Sequence, residues 1–239
     1  MQLQWLVASD IDNTLTGDNQ ALPRLAKRIE TLRAEGRLAL FLSTGRRLEQ
    51  VLYGHAEEGI PQADAIISQV GTEIYLPPLK ADMPPLTEWD RYLRETFSRK
   101  QAMSFLDGIE GLEMQPDMYN TPLKVSCYLD QAPNPDKAAQ AVIDRVAQAG
   151  GGYQVVWSSS RDLDIIPDRA GKGKAIRFLV QYLKLEPGRI ITAGDSGNDW
   201  SMLSEFGCGI IVANAKPELQ KASRENPQPG FYFAENAYA

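Results

Sequence analysis

The chain has 239 residues, a net charge of −6 and 43% apolar residues, which suits one large globular domain or a domain carrying an inserted second. An acidic chain is a poor nucleic-acid binder, because the phosphate backbone requires a basic surface. No basic and apolar leader opens the sequence, its apolar runs are too short to span a bilayer, and two cysteines are not a disulfide framework. We therefore expect a cytoplasmic protein that binds neither nucleic acid nor membrane.

The first third of the chain alternates between predicted strands and helices. Apolar runs at 3–9, 38–42 and 65–67 predict strands. Apolar residues at helical spacing between Leu22 and Gly36 predict one helix, and a second is expected over 46–57. This rhythm is typical of a parallel sheet covered on both faces.

The middle of the chain has a different pattern. Two proline pairs punctuate residues 77–85, and the elements after them suggest an antiparallel α+β unit. Its expected helices and strands cover 87–100, the region near Leu112, 124–129, 136–148 and 153–157.

The strand–helix rhythm then returns, with strands expected at 162–166, 190–193 and 209–212. The predicted fold is α/β, a Rossmann-like doubly wound parallel sheet with an inserted α+β cap. We place the core at 1–79 and 160–239 and the cap at 80–159.

Polar residues follow the predicted core strands where each strand ends. Ligands bind at the carboxyl edge of such sheets, so these residues are expected to meet there. They are Asp10 and Asp12 after the first strand, Thr44 and Gly45 after the second, Lys172 before a helix, and Asp195, Ser196, Asn198 and Asp199 after the strand at 190.

Several carboxylates in one cleft repel each other unless a cation binds them, and oxygen ligands favour Mg²⁺. Lys172 would neutralise a phosphoryl group, and Thr44 could hydrogen-bond its oxygens. Each motif alone is more often a turn, a helix cap or a surface lysine. Their convergence on one sheet edge favours a phosphatase with Asp10 as nucleophile.

Other motif interpretations fail on individual residues. A calcium-binding loop starting at Asp10 would need glycine where Leu15 stands and glutamate where Ala21 stands. The lysine-containing segment 171–174 lacks the earlier glycine and the Ser/Thr of a Walker loop. A single histidine, His55, within a predicted helix argues against a Ser-His-Asp triad.

The motifs around Asp10, Thr44, Lys172 and Asp195 resemble, in type and in chain order, those of the haloacid dehalogenase-like phosphatases. Asp10 to Thr14 match the family's Asp-x-Asp-x-Thr opening, Thr44 its second motif, Lys172 its third, and 194–199 its Gly-Asp-x-x-Asn-Asp. The insertion between the second and third motifs resembles the C2-type cap of the Cof-like branch, subfamily IIB.

Within that superfamily the chain resembles bacterial and plant sucrose-phosphate phosphatases. Asn13 stands where most of the superfamily has glycine, and the segments 70–75 and 124–126 look like further signatures of that group. The resemblance covers about residues 6 to 232.

The resemblance implies roles for the motif residues. Asp10 would form an aspartyl-phosphate, and Asp12 would act first as general acid and then as general base. Mg²⁺ would be held by Asp10, the Asp12 carbonyl and Asp195, and the phosphate by Thr44, Gly45 and Lys172. Asn198, Asp199 and Ser196 would orient these groups.

Sucrose 6-phosphate is the substrate that the resemblance implies, with Glu73, Lys124 and Asp164 as candidate sugar-binding residues. Phosphates of glucosylglycerol, mannosylglycerate or a hexose stay open as alternatives. So do phosphotransfer and a non-catalytic sugar-phosphate-binding module that docks on a synthase. We expect a monomer, with a sucrose-phosphate synthase as a candidate partner.

Overall fold

The computed structural model describes residues 3–158 and 160–235. Within them, strands numbered in chain order are β1 Trp5–Ser9, β2 Leu38–Ser43, β3 Ala65–Ser68, β4 Glu73–Tyr75, β5 Glu113–Met114, β6 Val125–Tyr128, β7 Tyr153–Ser158, β8 Asp162–Pro167, β9 Arg189–Gly194, β10 Gly209–Ile211 and β11 Tyr232–Phe233. The α-helices are α1 Ala21–Ala34, α2 Leu48–Tyr53, α3 Thr87–Arg94, α4 Arg99–Ser104, α5 Pro135–Gln148, α6 Lys172–Tyr182, α7 Trp200–Phe206 and α8 Pro217–Glu225.

Seven strands form the larger sheet, in the order β11-β10-β9-β1-β2-β3-β4. All neighbouring pairs are parallel except β3 and β4. The order runs outward from β1 in both directions, as in doubly wound folds. The predicted fold class is confirmed.

Alternating residues of the central strands supply two apolar layers, one on each face of this sheet. Leu40 and Leu42 pack with α1, whereas Phe41 between them packs with α6. This alternation follows from the two-residue period of a strand, and it fixes the register of β2. Because β1 pairs in parallel with both β2 and β9, the carboxyl ends of these three strands lie along one edge of the sheet.

The entry into α1 shows why a helix begins at residue 21. The Asp18 carboxylate accepts hydrogen bonds from the amides of Gln20 and Ala21, at 2.7 and 3.0 Å. These bonds satisfy donors that the helix itself leaves free. The helix ends at Ala34, and Gly36 shortly after it has a φ of +67°, the left-handed conformation typical of the residue that follows a helix.

The smaller sheet is antiparallel, in the order β5-β6-β8-β7, and packs against α4 and α5. The prediction that the strand at 162–166 belongs to the larger sheet is wrong. Ile165 of β8 pairs with Val125 on one side and Val155 on the other. A buried central strand is apolar on consecutive positions in either kind of sheet, so the sequence pattern did not distinguish them.

Residues 162–167 thus belong to the smaller sheet, although the predicted boundary at residue 160 assigned them to the core. The division into a core and a cap stays a prediction. Two predicted helices also differ: the one over 87–100 is split into α3 and α4, and the one over 46–57 changes after Tyr53 into a π-helical turn, Gly54–Glu58.

Among the described residues, no helix combines the length and the apolar character needed to cross a bilayer.

Candidate active site

Lys172 joins two carboxylates from opposite parts of the chain. Its Nζ donates to Asp10 Oδ1 at 2.7 Å and to Asp199 Oδ1 at 2.5 Å. Asp10 directly follows β1, and Lys172 is the first residue of α6. The lysine is 0% exposed and Asp10 is 5% exposed, so the pair is shielded from water. The prediction that residues at the carboxyl ends of the core strands lie close together is therefore correct for Asp10, Lys172 and Asp199.

Asp195 follows β9, the strand next to β1, and completes a group of three carboxylates. One oxygen each from Asp10, Asp195 and Asp199 lies within 4.8 Å of the others. The second oxygen of Asp199, Oδ2, accepts hydrogen bonds from the backbone amides of Asp195 and Ser196, both at 3.0 Å. Asp199 therefore ties the loop after β9 to Lys172, which fits the orienting role expected for it.

Burial and mutual repulsion perturb this cluster. Burial raises the pKa of Asp10 to about 8, assisted by Asp199 and Asp195 and opposed by Lys172. Burial and Asp199 raise the pKa of Asp195 to about 7. For Lys172, burial lowers the pKa, but Asp10 and Asp199 outweigh it and the pKa lies above its usual range. The lysine stays charged, but it does not fully compensate the negative charges of Asp10 and Asp195, whose pKa values therefore stay raised.

The donor set of this cluster fits a hard divalent cation. All available side-chain ligands are carboxylate oxygens, and the amide of Asp10 is fixed by a 2.9 Å bond to the Ala193 carbonyl. Asp10 and Asp195 lie at the ends of adjacent parallel strands, β1 and β9. A cation between them would offset the repulsion that raises both pKa values.

The loop after β2 lies beside the cluster. Thr44 is fully buried, its amide donates to Ile67 at 2.8 Å, and its hydroxyl accepts the Arg46 amide at 3.1 Å. Gly45 lines the open cleft above. The phosphate-binding roles of Thr44, Gly45 and Lys172 stay predictions, with only Gly45 directly lining the cleft.

Asp12 has a partner that sequence reasoning missed. Arg46 donates from Nη2 to Asp12 Oδ1 at 2.7 Å and from Nε to Asp12 Oδ2 at 3.0 Å. Arg46 directly follows the Ser-Thr-Gly of the second motif, so its position was a signal that could have identified it. Its other contact, with Glu58, had no comparable signal.

A cleft of about 320 Å³ lies between the carboxylate cluster and the smaller sheet. The larger-sheet side carries the motif residues. Its lining includes Asp10, Asp12, Asn13, Gly45, Arg46, Val70, Asp195, Ser196 and Asn198. The opposite wall is polar and aromatic, formed by Gln115, Tyr119, Lys124, Tyr128, Ser158, Arg161, Asp162 and Asp164. This second wall, apart from Lys124 and Asp164, was not foreseen.

Two of the three expected sugar-binding residues face this cleft together. Lys124 Nζ lies 3.5 Å from Asp164 Oδ1, and both residues are buried. The Ser126 hydroxyl donates to the same Asp164 oxygen at 2.5 Å. A buried ion pair with a shared hydroxyl is a rigid polar surface suited to sugar hydroxyls.

Glu73 does not line this cleft as the described residues form it, but it is close enough to Lys124 for the ammonium charge to lower its pKa against the larger effect of burial. Its Oε2 accepts hydrogen bonds from Ser68 at 3.2 Å and Tyr75 at 2.9 Å, and burial raises its pKa. It lines a separate cavity with Pro84 and Leu123, not the cleft as the described residues form it. The sugar-binding role of Glu73 stays a prediction.

Comparison with known proteins agrees with this geometry. Residues 3–239 match the family described as sucrose-6F-phosphate phosphohydrolase. A mannosylfructose-phosphate phosphatase of Agrobacterium fabrum is 32% identical over 92% of this chain and 88% of its own length. Sucrose-phosphatase 1 of Nicotiana tabacum is 32% identical over 90% of this chain, which spans only 51% of that relative.

A solved structure shares nearly the whole fold. The sucrose-phosphatase of Synechocystis, in complex with sucrose and phosphate, has a TM-score of 0.90 and 32% identity, covering 100% of this chain and 94% of that one. A subclass IIB sugar phosphatase is similar in fold alone, at 15% identity and a TM-score of 0.64. The chain belongs to the sucrose-6F-phosphate phosphohydrolase family, as its four motifs predicted.

Proposed function

We propose that this phosphatase hydrolyses sucrose 6-phosphate to sucrose and inorganic phosphate, the final step of sucrose synthesis. The observation that carries the proposal is the buried Asp10–Lys172–Asp199 arrangement at the base of a cleft with a polar second wall. Support for the sugar comes from the similar fold of the Synechocystis enzyme, whose structure holds sucrose and phosphate.

In the proposed reaction, a carboxylate oxygen of Asp10 forms a bond to phosphorus while the bond from phosphorus to the sugar oxygen breaks. The electron pair of the broken bond stays on the sugar oxygen, which takes a proton from Asp12. Water then attacks the phosphorus of the aspartyl-phosphate and gives a proton to Asp12. This step releases phosphate and regenerates Asp10.

We further propose Mg²⁺ as the metal. Asp10 and Asp195 would hold it with the Asp12 carbonyl, while Asp199, Asn198 and Ser196 orient the loop that carries Asp195. When bound, such a cation supplies positive charge for the phosphoryl oxygens. Lys172 supplies a second positive charge from within the protein, beside Asp10.

Lys124 and Asp164, with Glu73 as a further candidate, are proposed to recognise sugar hydroxyls, and the buried Ser126 hydroxyl holds the Asp164 carboxylate in place. The pair is buried and already hydrogen-bonded, so little ordering is needed when the sugar enters. The phosphate of mannosylfructose is a second candidate substrate, since the Agrobacterium relative that acts on it is equally identical, at 32%. A sucrose-phosphate synthase partner, a monomeric state and a cytoplasmic location stay predictions.

Phosphate release from a panel of sugar phosphates tests the substrate. We expect the highest kcat/KM with sucrose 6-phosphate, and a higher value with mannosylfructose phosphate, glucosylglycerol phosphate or a hexose phosphate would reject it. Asp10→Asn tests the mechanism and should lower kcat by several orders of magnitude, with Asp82→Asn at an exposed site as the control. Near-normal turnover by Asp10→Asn would refute nucleophilic catalysis and favour a different chemistry.

A further inference from the structure

Asp12, Arg46 and Glu58 are connected by two consecutive ion pairs, and the Asp12 carboxylate is the exposed end of this series. Arg46 contacts both oxygens of Asp12, and its remaining terminal nitrogen, Nη1, donates to Glu58 Oε2 at 2.8 Å. The Arg46 side chain is 15% exposed, while that of Asp12 is 51% exposed. The guanidinium is therefore enclosed, and the group it holds faces the cleft.

Glu58 reaches Arg46 because the helix after the second motif changes its winding. Helix α2 ends at Tyr53 and continues as the π-helical turn Gly54–Glu58, which closes at Gly59 with φ of +74°. A π-turn contains an extra residue compared with an α-turn, so it changes the direction in which the following side chains project. Such turns occur often at functional sites.

Gly54, at the start of that turn, provides the space for the guanidinium. A Cβ at this position would lie 3.1 Å from Arg46 Nη1 and 2.5 Å from Ile60 Cδ1. The first distance is a close contact with the same nitrogen that binds Glu58. The turn thus supplies both the space and the carboxylate that fix one end of the guanidinium.

We propose that Glu58 is a positioning residue for Asp12, acting through Arg46. This inference rests on the proposed function, in which Asp12 transfers protons to the sugar oxygen and from water. A guanidinium is planar with donors in fixed directions, so anchoring Nη1 sets the direction of the Nε and Nη2 edge. That edge holds the half-exposed Asp12 carboxylate in one orientation before substrate arrives.

The leaving group separates this role from a purely structural ion pair. A sugar alkoxide must be protonated as it leaves, whereas p-nitrophenolate leaves without a proton. Loss of Asp12 orientation should therefore slow cleavage of the sugar phosphate but spare the first turnover of p-nitrophenyl phosphate. A general loss of structure would slow both.

The experiment compares Glu58→Ala, Glu58→Gln and the control Glu57→Gln, an exposed glutamate of the same turn. For Glu58→Ala we expect kcat with sucrose 6-phosphate to fall about 10-fold at nearly constant KM. Misplacing a catalytic group by about 1 Å can lower the rate by ~10²-fold, and a partly misoriented Asp12 should cost less. The burst of p-nitrophenol should keep its rate within about twofold. Glu58→Gln retains an oxygen that can accept from Nη1 and should recover most of kcat.

Three results would overturn the inference: Glu58→Ala within about twofold of wild type on the sugar phosphate, equal losses in both reactions, or a Glu58→Gln variant as slow as Glu58→Ala. Thermal unfolding of each variant identifies a folding defect. If wild type cleaves p-nitrophenyl phosphate but not sucrose 6-phosphate, the substrate proposal fails alone. The comparison then uses the alkyl phosphate that the panel identifies.

Discussion

Replacing Lys172 by methionine is expected to destabilise the folded protein as well as abolish turnover. The lysine is fully buried between Asp10 and Asp199, at 2.7 and 2.5 Å. Methionine has a similar length, so the main change is the loss of the ammonium rather than a cavity. Three neighbouring carboxylates would then have no buried cation among them.

The size of the effect follows from the burial of these groups. Removing one partner of a buried ion pair costs about 3–5 kcal/mol of unfolding free energy, because the remaining charge is uncompensated. For a protein of this size that corresponds to a fall in Tm of about 6–20 °C. Solvent cannot screen the interaction, since Lys172 is 0% exposed.

Thermal or urea unfolding in EDTA measures the change without interference from a metal. Lys174→Met is the matched control, because that exposed lysine lies on the same helix and its change should stay within about 0.5 kcal/mol. Adding Asp199→Asn to Lys172→Met removes one of the uncompensated charges and should restore part of the loss. A loss below about 1 kcal/mol for Lys172→Met, or no rescue by the second change, would refute the charge argument.

Two further predictions concern the same region. The pKa of Asp195 is about 7 in the folded protein and about 4 in an unfolded chain. Protonation of Asp195 therefore stabilises the fold fully below about pH 4, and this contribution is lost as pH rises through 7. Mg²⁺ should raise Tm more at about pH 8 than at about pH 5, and an equal rise at both pH values would contradict this. Gly71→Ala should lower Tm by about 6–12 °C, which corresponds to about 3 kcal/mol, because φ is +89° and the new Cβ would lie 2.4 Å from the Gly171 backbone carbon. Differential scanning calorimetry measures this change, and a Tm within about 2 °C of wild type would contradict it.

The sequence was informative wherever strand order determines position. Asp10 and Lys172 are 162 residues apart in sequence, yet each was expected at the carboxyl edge of the sheet, and the structure joins them at 2.7 Å. That prediction needed only the strand–helix alternation and the rule that parallel strands present their carboxyl ends together. It did not require knowledge of the side-chain contacts.

Prediction failed where the outcome depends on winding or on long-range pairing. Strand β8 was assigned to the wrong sheet, since its apolar run is equally compatible with a parallel neighbour. Glu58 was missed because helical periodicity gives no sign of a π-turn after Tyr53. The direction of the Glu73 side chain likewise depends on hydrogen bonds with Ser68 and Tyr75, which a sequence pattern does not show.

The turn between β3 and β4 shows why the support of a site is harder to predict than its motifs. Gln69 and Val70 both have positive φ, +49° and +60°, which is unfavourable for residues other than glycine and most of all for a β-branched one. Their amides donate to the carbonyls of Arg46 and Thr44, at 3.2 and 3.1 Å. The strained turn thus holds the backbone of the second motif.

The next residue of that turn connects the second motif to the third. The backbone of Gly71 packs against that of Gly171 so closely that a Cβ on Gly71 would lie 2.4 Å from the Gly171 carbonyl carbon. Gly171 immediately precedes Lys172 and has a φ of +114° itself. Strain of about 1–3 kcal/mol per residue persists only where surrounding contacts enforce it. Val70 also lines the cleft. One turn therefore combines backbone strain, support of the second motif and part of the cleft wall, and it depends on a contact between Gly71 and Gly171, 100 residues apart.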